Sequence, residues 1–95
     1  MADPQSPDAA PDIGDAARRR RLKFRCWHRG MKEVDLILGR FADASVDGMD
    51  DGGLTRLEAF LDVPDPQILA WITGEEPVPS GAAGLVAQQL IAFHR

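Results

Sequence analysis

The residues able to do chemistry are few in this sequence, and they do not form a catalytic pattern. There are two histidines, His28 and His94, and one cysteine, Cys26. The three serines lack the glycine context of a nucleophile elbow, and no glycine-rich phosphate loop is present. Cys26 and His28 are only two candidate ligands, whereas a zinc site needs three or four. We therefore expect no enzyme, no metal site and no tightly bound nucleotide cofactor.

The acidic segment from Asp47 to Glu58 partly resembles a calcium-binding EF-hand loop. Its carboxylates fall at positions 1, 5 and 12 of twelve, and Gly52 occupies position 6, which needs glycine. Met49 at position 3 supplies no oxygen ligand, which predicts weak calcium binding. The competing interpretation is that Asp50 or Asp51 caps a helix. A calcium-binding helix-loop-helix module stays open as one alternative.

Positive charge is concentrated in one short segment. Residues 18–32 contain eight bases and no acid, whereas residues 33–95 carry eleven acids and three bases, a net charge of −8. The run from Arg18 to Arg25 could bind phosphates, with Phe24 and Trp27 stacking on bases, as in a nucleic-acid-binding or antitoxin-like protein. The acidic remainder would repel nucleic acid, so we expect no nucleic-acid partner. Docking on an acidic partner or on the protein's own acids is favoured.

The junction from Trp27 to Asp35 is a candidate docking point. If Gly30 lies at a corner between two helices, its bare backbone lets another molecule approach closely. Arg29 and Glu33 flank that corner with opposite charges that can make strong hydrogen bonds. The alternative is a helix-ending glycine beside a weak surface ion pair. The residues alone leave both interpretations open.

The elements that position these residues are predicted to be helical throughout. Apolar residues recur at helical spacing in stripes that are expected to face a core, such as Val86, Leu90 and Phe93 in the last helix. No stretch alternates long enough to form a convincing strand. Residues 1–14, rich in Asp, Ala and Pro, predict a disordered acidic tail. Residues 15–95 predict one all-α domain, a small bundle of about five short helices.

Capping residues and prolines set the predicted helix boundaries. Asp15 is expected to cap the first helix, and Gly30 to end it before a second helix from Met31 to Ala44. A third helix carries Leu54 to Leu61. The fourth is expected to have Asp65 as its N-cap, Pro66 in its first turn and Gly74 after its end, and the last begins near Ser80.

The chain carries no feature of a membrane or secreted protein. It has no apolar run of about 18 residues, the length that a membrane helix needs. A lone cysteine cannot form an intrachain disulfide, which fits a reducing compartment. The first residues resemble neither an import presequence nor a secretory signal. We expect a bacterial cytoplasmic protein with no membrane partner, monomeric when free.

The segment Arg29-Gly30-Met31-Lys32-Glu33 resembles the RGxxE signature of the succinate dehydrogenase FAD assembly factors, also called flavinylation factors. The similarity extends from about Arg21 to Phe93 and looks most like alphaproteobacterial members. Further features fall in that family's order and spacing, namely Asp35, the apolar stretch Leu36–Phe41, the helix Leu57–Leu61, the Asp65-Pro66 pair and Trp71.

The resemblance implies a non-enzymatic assembly factor, or chaperone. Such a factor binds the flavoprotein subunit of succinate dehydrogenase, and in some members of fumarate reductase, and promotes covalent attachment of FAD to that subunit. The FAD is then the partner's cofactor and is not held tightly by this chain. The resemblance assigns partner contact to Arg29, Gly30 and Glu33, and we add four neighbours to the predicted site, namely Trp27, His28, Lys32 and Asp35.

Overall fold

A computed structural model describes residues 9–94 of the chain, with side chains from residue 14 onward. Within that range the protein is all-α, as predicted, and contains no strand. The α-helices are α1 (Ala9–Trp27), α2 (Lys32–Ser45), α3 (Asp51–Phe60), α4 (Asp65–Thr73) and α5 (Ala82–Phe93), and a 3₁₀ turn, Val46–Gly48, follows α2.

One apolar core joins the five helices, because each helix turns its apolar stripe inward. α1 packs mainly against α2, and α3 packs mainly against α5. Most of the predicted stripe residues are buried, although Phe93 is 42% exposed at the end of α5. The buried core consists of Leu22, Cys26, Val34, Leu38, Phe41, Ala42, Val46, Leu54, Leu57, Phe60, Leu61, Ile68, Val86, Ala87 and Leu90.

Helix α1 begins at Ala9, ahead of the predicted start at Asp15. Pro11 is tolerated in the first turn because the N–H groups there have no partner within the helix. Asp15 lies inside the helix, where its carboxylate accepts a hydrogen bond of 2.7 Å from Nε of Arg19. Its predicted capping role is therefore wrong. Residues 1–8 of the predicted tail lie outside the described residues.

Helices α1 and α2 approach closely where the indole of Trp27 lies against Gly39. A Cβ atom at position 39 would fall far inside van der Waals contact with the indole carbons. The indole Nε1 also donates a hydrogen bond of 3.2 Å to Asp43, which lies on α2 like Gly39. Trp27 thus fixes the end of α1 on the middle of α2.

The starts of α3 and α4 show one correct and one wrong prediction of capping. Asp50 caps α3, since its carboxylate accepts a hydrogen bond of 2.8 Å from the backbone N–H of Gly53. At α4 the N-cap is Pro64, and Asp65 is the first helical residue, with no capping hydrogen bond from its side chain. Asp65 binds an arginine instead, so its predicted capping role is wrong. Gly74 ends α4 in the left-handed conformation, as predicted.

Helix α5 begins after a segment that contains Pro77 and Pro79. Gly84, in its first turns, lies so close to this segment that a Cβ there would collide with the carbonyl oxygen of Pro79. Glycine within a helix costs stability relative to alanine, but here it is required for close packing. No helix within residues 9–94 combines the length and the apolar character needed to cross a membrane.

Candidate functional site

The predicted corner is a short loop, residues 28–31, between α1 and α2. We call this loop the α1–α2 corner. Gly30 has φ +109°, a conformation that side-chain-bearing residues rarely adopt. The space around its Cα is open, with no atom within 4 Å of where a Cβ would lie. Glycine is therefore required here by backbone conformation, and the face of the corner at Gly30 is accessible.

Asp35 holds this corner from the first turn of α2. Its Oδ1 accepts hydrogen bonds from the backbone N–H groups of Arg29, at 2.6 Å, and Gly30, at 3.2 Å. The backbone N–H of Asp35 in turn donates to the carbonyl of Met31 at 2.9 Å. Asp35 thus stabilises the loop. The sequence contained a signal for this role, because an acid in the first turn of a helix can accept hydrogen bonds from the free N–H groups at the helix start.

The Arg29 guanidinium points into the protein and binds the turn between α3 and α4. Its Nε donates to Oδ1 of Asp65 at 2.7 Å, and both side chains are only 13–14% exposed. Its Nη1 and Nη2 donate to the carbonyls of Leu61 and Val63, the latter at 2.8 Å. Carbonyls just past a helix end lack helical partners, which makes them good acceptors. All three guanidinium nitrogens thus donate within the protein, whereas the sequence predicts bonds from this group to a partner.

Glu33 and Lys32 present opposite charges beside the corner. Both lie in the first turn of α2, and both are exposed. Neither takes part in an ion pair among residues 14–94. Their charged groups are accessible for hydrogen bonds to another molecule, so Lys32 provides the exposed positive charge that the sequence analysis expected from Arg29.

His28 and Phe24 form a stacked pair on the α1 side of the corner. Their ring centroids are 4.0 Å apart with planes inclined by 19°, and His28 Nδ1 lies 2.8 Å from the carbonyl oxygen of Phe24. Phe24 is 63% exposed, more than any other large apolar side chain described. It was not among the predicted contact residues. Its place on α1 opposite Leu22 and Cys26 could have shown that it faces solvent.

The predicted site residues therefore divide by position. Gly30, His28, Lys32 and Glu33 are exposed at or beside the corner. Arg29 and Asp35 direct their side chains into internal hydrogen bonds, and Trp27 lies against α2. The sequence alone could not separate the surface groups of this segment from the internal ones.

Several other bases of the basic segment bind the protein's own acids. Arg18 binds Glu58 through Nε and Nη2, at 3.0 and 2.9 Å, and also binds Asp51. These bonds lower the pKa of Glu58. Lys23 pairs with Asp47 at 2.8 Å. This intramolecular docking is one of the two outcomes that the charge distribution favoured, and it reduces the cations left for nucleic acid.

The predicted calcium loop does not form. Asp47 is paired with Lys23, Asp50 caps α3, and Asp51 and Glu58 bind Arg18. The second part of the segment, from Asp51 onward, belongs to α3. Among the described residues no group of three potential ligands is placed to hold a metal ion. The structure does not support the calcium-binding alternative, because Asp50 caps a helix and the other three acids are engaged in ion pairs.

Cys26 is an internal residue with no exposed surface. Burial raises the pKa of its thiol to about 12, because the charged thiolate is costly away from water. A neutral, buried thiol is neither a nucleophile nor a metal ligand. Its sequence neighbour His28 is exposed on the surface, so the two do not form a pair.

Together these features define a small all-α protein in which partly buried polar contacts stabilise an exposed interhelical corner. The family model described as "Flavinator of succinate dehydrogenase" matches residues 20–94. The chain belongs to this family. The resemblance that the RGxxE segment indicated is thereby confirmed at the level of the family.

Relatives of the chain occur in bacteria and eukaryotes. The chain is 38% identical over 95 residues to the FAD assembly factor SdhE of Acetobacter pasteurianus, covering 97% of this chain and 87% of the relative. It is 34% identical over 62 residues to the FAD assembly factor SdhE of Legionella pneumophila, covering 65% of this chain and 77% of the relative.

A longer relative is the mitochondrial succinate dehydrogenase assembly factor 2 of Arabidopsis thaliana. The two are 33% identical over 63 residues, which cover 66% of this chain and 34% of the relative. The chain therefore spans most of the two bacterial relatives and about a third of the plant protein. No solved structure matches the chain.

Proposed function

We propose that this protein is an FAD assembly factor, which binds the flavoprotein subunit of succinate dehydrogenase and promotes covalent attachment of FAD to it. The observation that carries the proposal is the family match over residues 20–94, which includes α2 to α5 and the last part of α1. Two bacterial relatives that carry the name FAD assembly factor support it.

The α1–α2 corner is the surface that we propose for the partner. Gly30 leaves the backbone open, so a partner can approach it without meeting a side chain. The Glu33 carboxylate and the Lys32 ammonium can make charge-assisted hydrogen bonds, which are stronger than neutral ones. His28 adds an exposed ring beside them. Binding here would orient the partner's flavin site, and orientation alone can accelerate a reaction substantially.

We assign no catalytic residue to this chain. The reactive atoms belong to FAD and to the partner, so this protein supplies shape and charge. The exposed corner is a surface for a protein and has no phosphate-binding loop, which favours a factor that holds no FAD tightly. The bacterial cytoplasm is the proposed compartment, in keeping with the bacterial relatives and the unpaired Cys26.

The test is a flavinylation reaction with purified components. The apo flavoprotein subunit is mixed with FAD, a dicarboxylate and this protein, and covalent flavin is read as acid-stable fluorescence on a denaturing gel. We expect covalent flavin to rise with the wild type and not with Glu33→Ala. Glu75→Ala, which removes an exposed glutamate in the loop after α4, is the matched control and should behave as the wild type.

Two results would contradict the proposal. If the wild type leaves the yield unchanged under conditions where a relative raises it, the chain is not an assembly factor. If Glu33→Ala is as active as Glu75→Ala, the corner is not the contact surface, and the site assignment fails while the family function stands.

A further inference from the structure

We propose that Arg29 acts as a positioning residue through Asp65, holding the α1–α2 corner against the turn between α3 and α4. The partner is then contacted by the neighbours of Arg29 and not by its guanidinium. This inference rests on the proposed function, since it concerns how the same corner is made ready for the partner.

The first argument is that the Arg29 guanidinium nitrogens are engaged in hydrogen bonds within the protein. Each of the three already donates to an internal acceptor, Nε to Asp65, Nη1 to the Leu61 carbonyl and Nη2 to the Val63 carbonyl. The side chain is 13% exposed, so little of it is accessible to another protein. These bonds use three of the five guanidinium N–H groups, and the low exposure of the side chain leaves the other two little access to a partner.

The second argument is the environment of the ion pair. Arg29 and Asp65 are both less exposed than Arg18 and Glu58, whose side chains are 23% and 35% exposed. Charges that are partly withdrawn from water interact more strongly, and removing one partner leaves the other charge uncompensated. Asp65 is thus the residue on which the orientation of Arg29 depends most.

The third argument is connectivity. The backbone N–H of Arg29 is held by Asp35 on α2, while its side chain binds the end of α3 and the first residue of α4. One residue therefore joins α2 to both sides of the α3–α4 turn. The exposed groups beside it, Gly30 and Glu33, keep a fixed position relative to that turn as long as Arg29 is held. Lysine could not replace it, because a single ammonium cannot reach three divergent acceptors.

The test compares two substitutions of matched chemistry. Asp65→Ala removes the acceptor of Arg29, and Glu58→Ala removes an acceptor of Arg18, a comparable link from α1 that lies away from the corner. Amide hydrogen exchange at Arg29 and Gly30 is measured in the free protein, and the Kd for the apo flavoprotein subunit is measured separately.

We expect Asp65→Ala to speed exchange at both amides and to raise the Kd on the order of tenfold or more, because small displacements of a docking surface are costly. Glu58→Ala should leave both quantities near the wild-type values. Asp65→Asn, which keeps one oxygen acceptor for Nε, should rescue much of the loss. This conservative variant keeps the test decisive if Asp65→Ala does not fold.

A double-mutant cycle separates positioning from direct contact. If Arg29 acts through Asp65, Arg29→Ala combined with Asp65→Ala binds no more weakly than Arg29→Ala alone. Additive losses, or wild-type affinity in folded Asp65→Ala, would overturn the inference. If the wild type does not bind the subunit at all, the proposed function has failed instead. The exchange rates then still decide whether Asp65 holds the corner, since unchanged exchange in Asp65→Ala would overturn that part.

Discussion

The indole of Trp27 occupies the space that any side chain at position 39 would need, so the close approach of α1 to α2 depends on Gly39. We expect Gly39→Ala to displace the ring, and such overpacking costs about 1–3 kcal/mol. Alanine gains roughly 1 kcal/mol over glycine within a helix, so the free energy of unfolding should fall by up to about 2 kcal/mol. Urea unfolding measures the change, and Trp27 fluorescence in a Trp71→Phe background reports the displacement.

Gly14 provides the control for this substitution. It is also helical, but no atom lies within 4 Å of where its Cβ would be. Gly14→Ala should therefore stabilise the protein by up to roughly 1 kcal/mol. If Gly39→Ala is stabilising to the same extent, the indole is not held as described.

Gly30 is expected to be essential for partner binding but not for folding. Gly30→Ala introduces backbone strain of about 1–3 kcal/mol at φ +109° without a steric collision. Gly74→Ala introduces similar strain at φ +83°, also without a collision, at the end of α4. We expect similar losses of stability from both variants, measured by thermal unfolding, but loss of flavinylation activity only from the Gly30 substitution. If the two variants have equal flavinylation activity, Gly30 is not part of the surface that contacts the partner.

The larger substitution Gly30→Arg should abolish flavinylation while leaving helical circular dichroism unchanged. The space around Gly30 is open on the outside of the corner, so the long side chain projects toward the partner. Loss of helical signal in this variant would instead assign Gly30 a purely structural role.

Glu58 gives the protein a defined response to acid. Hydrogen bonds from Arg18 lower the pKa of this carboxyl below its ordinary value of 4.5 in the folded state. The unfolded chain therefore takes up the proton more readily, and the associated stability is present above pH 4.5 and lost as pH falls through the lowered pKa. We expect Glu58→Gln to be less stable at pH 7 and to lose less stability on acidification, as measured by urea midpoints.

The matched control for the acid response is Glu75→Gln. Glu75 is exposed and belongs to no ion pair among the described residues. Its substitution should leave the dependence of the urea midpoint on pH as in the wild type. A wild-type slope in Glu58→Gln would show that the Arg18 contact does not persist in solution.

Cys26 should resist thiol reagents while the protein is folded. The side chain has no exposed surface, so a reagent cannot reach the sulfur. The pKa of the thiol is raised to about 12, so the reactive thiolate is scarcely populated at pH 8. We expect native labelling by a disulfide reagent at pH 8 to be slower than in denaturant on the order of 10³-fold, since it requires opening of the core. Rapid labelling of the native protein would contradict the packing of α1.

The spacing of apolar residues predicted the helices well, because a helix buries one face and its apolar residues therefore recur every three or four positions. The stripes that contain Leu38, Leu57 and Leu90 are buried where the spacing placed them. Phe93 fails because it lies at the end of α5, where the neighbouring helices no longer cover it. The family resemblance was confirmed by the family match over residues 20–94, whereas the site that it implies at the α1–α2 corner stays a prediction.

The roles of individual polar residues could not be predicted in the same way. The pairing of Arg29 with Asp65 joins residues 36 positions apart, so it depends on how the two turns meet in the folded chain. A capping motif such as Asp65-Pro66 is a local signal, and a stronger tertiary contact overrides it. The same holds for the acids of the predicted calcium loop, which bind a distant arginine and lysine.

The contact of Gly84 with Pro79 has a consequence for protein engineering. Replacing helical glycines by alanine is a common way to raise thermostability, and a design rule that scores helix propensity alone would select position 84. Here the carbonyl oxygen of Pro79 already fills the site of the new methyl group, so the segment before α5 would have to lift from the helix. A thermostabilised version of this protein would have to leave Gly84 unchanged.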